Sequence, residues 1–249
     1  MNPQQVGERL LPDRETHQQD QAFAHPQPEA LIPLKDSRRS PGIAWATWVL
    51  VVANLVVFVW ELRQGDALSG ALERIALSPA EALARGPLGE IALRPLRLVA
   101  AMFLHGGWLH LAGNMAFLGV FGDDVESRLR VRRFLILYLG SGLVASLAQI
   151  AASPRSPLPL LGASGAIAGV LGAFLVLFPK ARLSGVLPLG CLVVPMKSRA
   201  FLFIPFWFLL QLYGALSAPP GSLAGGTAWY AHLAGFAAGP ILLFLLRRR

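Results

Sequence analysis

Long apolar runs separated by short polar segments constrain this chain more than any other feature. The stretches 43–62, 134–152, 200–216 and 227–246 carry almost no charge, and an apolar run of about 18 residues or more reads as a membrane-crossing helix. In hydrocarbon every backbone polar group must find its partner inside the protein, so runs of this length are expected to span as helices. Only 14% of residues are charged, against roughly 25% in soluble domains. The expected fold class is an all-α membrane protein, and the length suits about six short-looped spans of roughly 20 residues each.

Basic clusters orient those spans, because cytoplasmic loops carry an excess of Lys and Arg. Residues 1–41 are polar, rich in Gln and Pro, and end in Lys35, Arg38 and Arg39; they are expected to form a flexible cytoplasmic tail without a core. They contain no apolar h-region, which predicts no cleavable signal peptide and makes the first span a signal anchor. Residues 42–249 form the six-span domain, with spans at 43–62, 98–122, 134–152, 162–178, 200–216 and 227–246. The connection 63–97 is expected outside, with amphipathic pieces on the membrane surface. Arg128, Arg130, Arg132 and Arg133 place the 123–133 loop inside, and Lys180, Arg182, Lys197 and Arg199 do the same for the next long loop. Within that loop, residues 183–194 are apolar but interrupted by Gly185, Pro188 and Gly190, so they are expected at the interface rather than across it. Arg247, Arg248 and Arg249 close the chain on the cytoplasmic side.

The net charge of +8 then reads as orientation signal and headgroup contact. No basic stretch is interleaved with aromatics as single-strand nucleic-acid binding requires, so no nucleic-acid partner is expected. Cys191 is the only cysteine, which excludes an intramolecular disulfide and a thiolate metal site from one chain.

Ionisable and polar side chains inside spans are costly and face the bundle interior. The main ones here are His105, His110, Asn114, Ser164, Gln211 and His232. Ser164 falls in the first turn of its span, where backbone N–H groups lack intrahelical acceptors and the helix dipole favours negative charge. By itself a serine among glycines is more simply a packing residue. The companion feature is in the last span: Ala228, His232, Gly235 and Gly239 share one stripe, and Gly165, Gly169 and Gly172 give the serine span a matching small face. Both spans start outside, so Ser164 and His232 lie at similar depth, the serine near the outer third of the bilayer. A neutral His beside a Ser is the base-plus-nucleophile pair of acyl transfer, and without a carboxylate at that depth it is a dyad. His110 and Asn114 are four apart on one helix face and are candidate oxyanion donors, with the Ser164 N–H as another. His105 and His110, roughly 140° apart on a continuous helix, are poorly spaced for a shared metal; with no carboxylate or thiolate ligand nearby, no metal or cofactor is expected.

His105-Gly106-Gly107-Trp108-Leu109-His110-Leu111-Ala112-Gly113-Asn114, Gly162-Ala163-Ser164-Gly165, Ala231-His232-Leu233-Ala234-Gly235 and Glu126-Ser127-Arg128 together resemble the signature motifs of the rhomboid intramembrane serine proteases, over about residues 43–246. The resemblance implies a six-helix rhomboid-like bundle with cytoplasmic termini. It makes Ser164 the nucleophile and His232 the general base, with His110 and Asn114 lining the oxyanion hole and Gly162 shaping the serine loop. His105, Glu126 and Arg128 become structural supports. It further implies cleavage of single-spanning membrane proteins near the outer surface, at small residues, without cofactor or metal. The fifth span, with Trp207 and Phe208, becomes a lateral gate, and the setting a multi-pass protein of the bacterial inner (plasma) membrane. Leu96-Arg97 stands where members often have Trp-Arg, a departure that bears on how the outer loop seats in the headgroups. One rival reading is a catalytically silent relative that binds membrane clients. Another is a small transporter, which predicts inverted repeats that the two halves do not show.

Overall fold

The computed structural model describes residues 32–36, 42–84, 88–189, 192–217 and 227–247. It is mostly helical, and four helical stretches among these residues are long and apolar enough to cross a membrane: Trp45–Leu83, Val131–Ala152, Ala200–Ser217 and Trp229–Arg247. The chain is a multi-pass integral membrane protein. The first stretch begins with α1 (Trp45–Gln64), which stops at Gly65. Three short helices follow: α2 (Leu68–Ile75), α3 (Pro79–Leu83) and α4 (Leu88–Ala101). Next come α5 (Trp108–Phe117), a π-helical turn at Leu118–Gly122, α6 (Asp123–Leu129) and α7 (Val131–Ala152). The serine helix α8 (Ser164–Leu177) is short and apolar, and α9 (Ala200–Ser217) and α10 (Trp229–Arg247) complete the bundle.

The structure departs from the sequence expectation in three places. The second span does not start at Leu98: residues 98–101 end α4, the chain turns through 102–107, and helix resumes at Trp108. Gly106-Gly107 have the poorest helix propensity after proline, and the break falls on them. Residues 183–189 and 192–194 belong to a pair of antiparallel strands, β2 (Arg182–Leu189) and β3 (Leu192–Arg199). Gly and Pro tolerated poorly in a helix are admissible in a short two-stranded ribbon. Finally, β1 (Ile32–Asp36) pairs antiparallel with β2, giving the order β1-β2-β3. Part of the tail expected to be unstructured therefore satisfies the open edge of the strand pair. The remainder of that tail, residues 1–31 and 37–41, and the terminal pair Arg248 and Arg249 lie outside the described residues.

The core is the contact of α8 with α10 and α7. A β-carbon built on Gly235 would collide with the Gly165 carbonyl, and one on Gly239 with the Gly169 carbonyl. Backbone meets backbone there because both helices present glycine, the close approach that drives helix association where lipid removes the hydrophobic incentive. On the other side of α8, a β-carbon on Gly165 would lie 2.6 Å from the Ala145 methyl of α7. Apolar side chains fill the remaining volume, among them Phe121, Phe134, Tyr138, Leu171 and Phe174, all fully buried.

The connection α2–α4 packs onto the bundle through Leu72, Ala76, Ala101 and Leu104, and through Leu77, Leu98, Ile150 and Leu160. Arg97 binds it internally: its guanidinium donates to the carbonyls of Glu73 and Ala76, at the end of α2, and lies 3.7 Å from Glu81. Leu96 beside it is 65% exposed, an apolar side chain facing outward from α4.

Glu126 on α6 is buried. Its carboxylate accepts from the N–H groups of Ala46 and Thr47, at 2.9 and 2.7 Å, and from the Thr47 hydroxyl at 2.8 Å. It thus caps α1 from a distant helix, satisfying orphan donors and favouring the positive end of the dipole. Arg128, in the last turn of α6, is exposed. Glu126→Ala is expected to destabilise the protein by about 2 kcal/mol or more, since it removes hydrogen bonds to a charged acceptor and leaves buried donors unmet. Thr47→Val, which deletes one of the three donors, is expected to cost about 1 kcal/mol. Thermal unfolding in detergent measures both; equal midpoints for the Glu126 variant and the unmodified chain would refute the cap.

Candidate active site

The loop that delivers Ser164 is fixed before the helix begins. The Leu160 N–H donates to the Leu77 carbonyl at 3.1 Å and the Gly162 N–H to the Ala101 carbonyl at 2.9 Å. The α2–α4 connection therefore clamps the loop backbone from outside. Gly162 adopts φ +110°, a region that L side chains rarely enter. Ala163 then takes αR geometry as the N-cap, and Ser164 is the first helical residue. Its own N–H and those following it belong to the first turn, which has no intrahelical acceptors.

Ser164 Oγ lies 2.8 Å from His232 Nε2. His232 is the fourth residue of α10, and the glycine contact between α8 and α10 brings the two side chains to one level. Its other ring nitrogen, Nδ1, lies 2.7 Å from Gln211 Oε1 on α9. An amide oxygen only accepts, so Nδ1 carries the hydrogen and Nε2 presents its lone pair to the serine hydroxyl. Trp207 and Trp229 flank the imidazole, with ring centroids 6.1 and 6.4 Å away.

His110 is the third residue of α5, and its ring covers Gly162: a β-carbon there would sit 2.7 Å from its Nε2. The imidazole edge therefore borders the serine loop. Asn114, buried one turn on, donates its Nδ2 to the His110 carbonyl at 3.0 Å. Its amide N–H is thus engaged within its own helix, while His110 stands against the loop.

His105 is not on the same helix as His110, contrary to the continuous span expected; it sits in the turn that Gly106-Gly107 create. It is buried, its N–H donates to Glu61 Oε1 at 2.9 Å and its Nδ1 lies 3.2 Å from the Phe103 carbonyl. Its ring meets that of His110 edge-on, with centroids 5.1 Å apart. Glu61, near the end of α1, is 2% exposed. The pair Glu61–His105 braces the wall on which His110 stands. Glu126 and Arg128 lie away from this site.

Sequence reasoning gave no role to three polar residues that the fold brings to the site. Gln211 touches His232. Gln149 on α7 accepts the Ala231 N–H at 3.2 Å and donates to Ser153 at 3.1 Å, so it ties α10 to the start of the serine loop. Glu61 holds the turn at His105. The signal was present, since polar groups in apolar spans demand partners, but the partner in each case lies on a different element of the chain. A cavity of about 30 Å³ borders Ser164, lined by Gly142, Ala145, Ser146, Gly165 and Ala231 among others; a water needs roughly 10–15 Å³. Chemically, the site combines a hydroxyl, a base in the correct tautomer, and N–H donors beside the hydroxyl.

Residues 93–249 match the family model described as the Rhomboid domain. The chain is 32% identical over 157 residues to RHOMBOID-like protein 5 of Arabidopsis thaliana, covering 54% of this chain and 51% of that protein. It is 35% identical over 121 residues to Rhomboid protease GluP of Bacillus subtilis, covering 49% of this chain and 22% of that protein. To mitochondrial Rhomboid protein 1 of Saccharomyces cerevisiae it is 36% identical over 92 residues, covering 35% and 27%. The chain thus spans about half the length of the plant relative, and less of the other two.

Gly162→Ala is expected to lower the rate at which a fluorophosphonate labels Ser164 by about tenfold or more, because the new β-carbon displaces His110 from the loop. The double variant with His110→Ala is expected to label no more slowly than His110→Ala alone, the non-additivity of residues in contact. Additive losses would show that Gly162 acts through something other than His110.

Proposed function

From the premise that this chain belongs to the rhomboid family, we propose that it is an intramembrane serine endopeptidase in which Ser164 and His232 do the chemistry. The observation that carries the reading is the 2.8 Å approach of Ser164 Oγ to His232 Nε2. The serine hydroxyl passes its proton to Nε2 as Oγ attacks the scissile carbonyl. The resulting oxyanion is met by the Ser164 N–H and the His110 ring edge, and by Asn114 if its amide turns from the His110 carbonyl. Imidazolium then protonates the departing amine as the C–N bond breaks, leaving an acyl-serine. Water, for which the cavity beside Ser164 has room, gives its proton to Nε2 and adds to the acyl carbon. Collapse releases the carboxylic acid, and the proton returns to Oγ. The reaction balances on these groups and water, with no metal or cofactor needed.

Six spans carry this site in the proposed topology: α1, the α5–α6 run, α7, α8, α9 and α10. Both termini and the β2–β3 pair face the cytoplasm by the placement of basic residues, in a bacterial inner membrane, and Ser164 opens toward the outer side. Substrates are single-spanning membrane proteins that enter past α9 at Trp207 and Phe208. A helical substrate hides its carbonyls in its own hydrogen bonds, so segments weakened by Gly or Pro near the scissile bond are preferred. Small Ala and Gly residues around the serine leave room for a small side chain at the cleaved position.

Purified protein in detergent is expected to react with a fluorescent fluorophosphonate. Ser164→Ala should abolish labelling and His232→Ala reduce it by about 100-fold or more, the contribution of a positioned base. A folded protein that does not label would instead support client binding without cleavage.

A further inference from the structure

Gln211 occupies a position that the Ser–His reading alone does not require. Up to its terminal Ser217, helix α9 is otherwise built of apolar and aromatic residues, with much of its surface turned outward: Phe201, Leu202, Phe206, Leu209, Tyr213 and Leu216 are all exposed. Gln211 is 8% exposed and faces inward. Its Oε1 approaches His232 Nδ1 at 2.7 Å. One turn earlier, at i−4 and so on the same face, Trp207 packs near the same imidazole. The inward face of α9 therefore addresses His232 twice, once by a ring and once by a hydrogen bond.

The direction of that bond matters. With hydrogen on Nδ1, Nε2 is free to take the serine proton. The other tautomer would aim an N–H at Oγ and leave the serine without a base. When Nε2 gains its proton, the bond from Nδ1–H to the amide oxygen becomes charge-assisted and shortens. Nucleophile, base and orienting group are thus in line, with an amide in the third place. His232's hydrogen-bond and electrostatic partners among the described residues are Ser164 on α8, Gln211 on α9 and His110 on α5. Its other neighbours on α9 and α10 are the uncharged Trp207 and Trp229, and α7 contributes the uncharged Gln149 beside Ala231.

We propose that Gln211 is a positioning residue for the reaction: its side-chain carbonyl fixes the tautomer and plane of His232, and so makes the docking of α9 against α10 a condition for a competent base. Displacement of α9, the element a substrate helix would have to pass, separates Gln211 from His232. The base is then less well held while α9 is away and regains its orienting partner as α9 returns. This rests on the Ser164–His232 reading above.

Two variants test it, Gln211→Met, which keeps length but not the acceptor, and Gln211→Glu, which keeps the acceptor and adds charge. The readout is the pH dependence of fluorophosphonate inactivation, separated into the maximal rate and the half-saturating concentration, with folding checked by thermal midpoint. Gln211→Met should lower the maximal rate about tenfold or more while the half-saturating concentration changes less than about twofold, since the base and not binding is affected. Gln211→Glu should retain reactivity and move the acid limb of the maximal rate upward by about one pH unit, because a carboxylate beside the ring favours imidazolium. A residue that only filled space would move neither limb nor rate. A Met variant as fast as the unmodified protein, or an unmoved acid limb in the Glu variant, overturns the proposal. If the Met variant does not fold, the acid limb of the Glu variant decides alone. Failure of the unmodified, folded protein to react removes the dyad reading itself and this proposal with it.

Discussion

The backbone contact between α8 and α10 is the constraint on which the rest depends. Gly165 and Gly169 on one helix face Gly235 and Gly239 on the other, at distances that admit no β-carbon. Helices carrying larger side chains pack 8–10 Å apart, and at that spacing a serine and a histidine would need other rotamers or an intervening water to meet. Here the helices are close enough for a direct 2.8 Å contact between Ser164 and His232. The contact is made near the N-terminal ends of both helices, where free N–H groups already stand beside the hydroxyl. One packing decision thus sets the hydroxyl, the imidazole and the local donors at once.

Around that seam, four polar groups buried in the bundle are paired across elements. Glu126 of α6 caps α1, Glu61 of α1 holds the turn before α5, Gln149 of α7 binds α10, and Gln211 of α9 binds His232. In an apolar medium an unmet polar group is costly, so each pair restrains two helices in rotation as well as distance. Apolar packing between helices in lipid gives little such registration, because lipid tails compete equally for Leu and Phe. The registration of the bundle therefore rests on a few polar contacts, three of them around Ser164 and His232.

The segments between the long apolar helices also position the site. The α2–α4 connection grips the serine loop at Leu160 and Gly162 through backbone hydrogen bonds to Leu77 and Ala101. Its own shape is kept by Arg97, which binds the end of α2. At the other end of α8, the β2–β3 pair connects it to α9 and takes β1 as a third strand.

What the sequence determined by itself is what depends on local pattern. The apolar runs dictate helices, because no other element satisfies its own backbone over such lengths in hydrocarbon. The placement of Ser164 at a helix start and of His232 in the first turn or two of the last helix follows from where those runs begin, and the matching small stripes follow from a 3.6-residue period. The motifs carry the family resemblance in the same way. What only the tertiary structure decided is which polar side chain meets which. Gln211 is visible in the sequence as a lone amide in an apolar run, but its distance of 21 positions from His232 says nothing about contact. The break at Gly106-Gly107 escaped because the residues on both sides are apolar enough to be read as one span; it puts His105 against Glu61 rather than on the helix of His110. The pairing of β1 with β2 was hidden because a strand of five residues has too few alternations to register. Local pattern fixes the elements through their own backbone hydrogen bonds and their apolar faces. The choice among partners for a handful of polar atoms depends on how closely the helices approach, and that is a property of the assembled bundle.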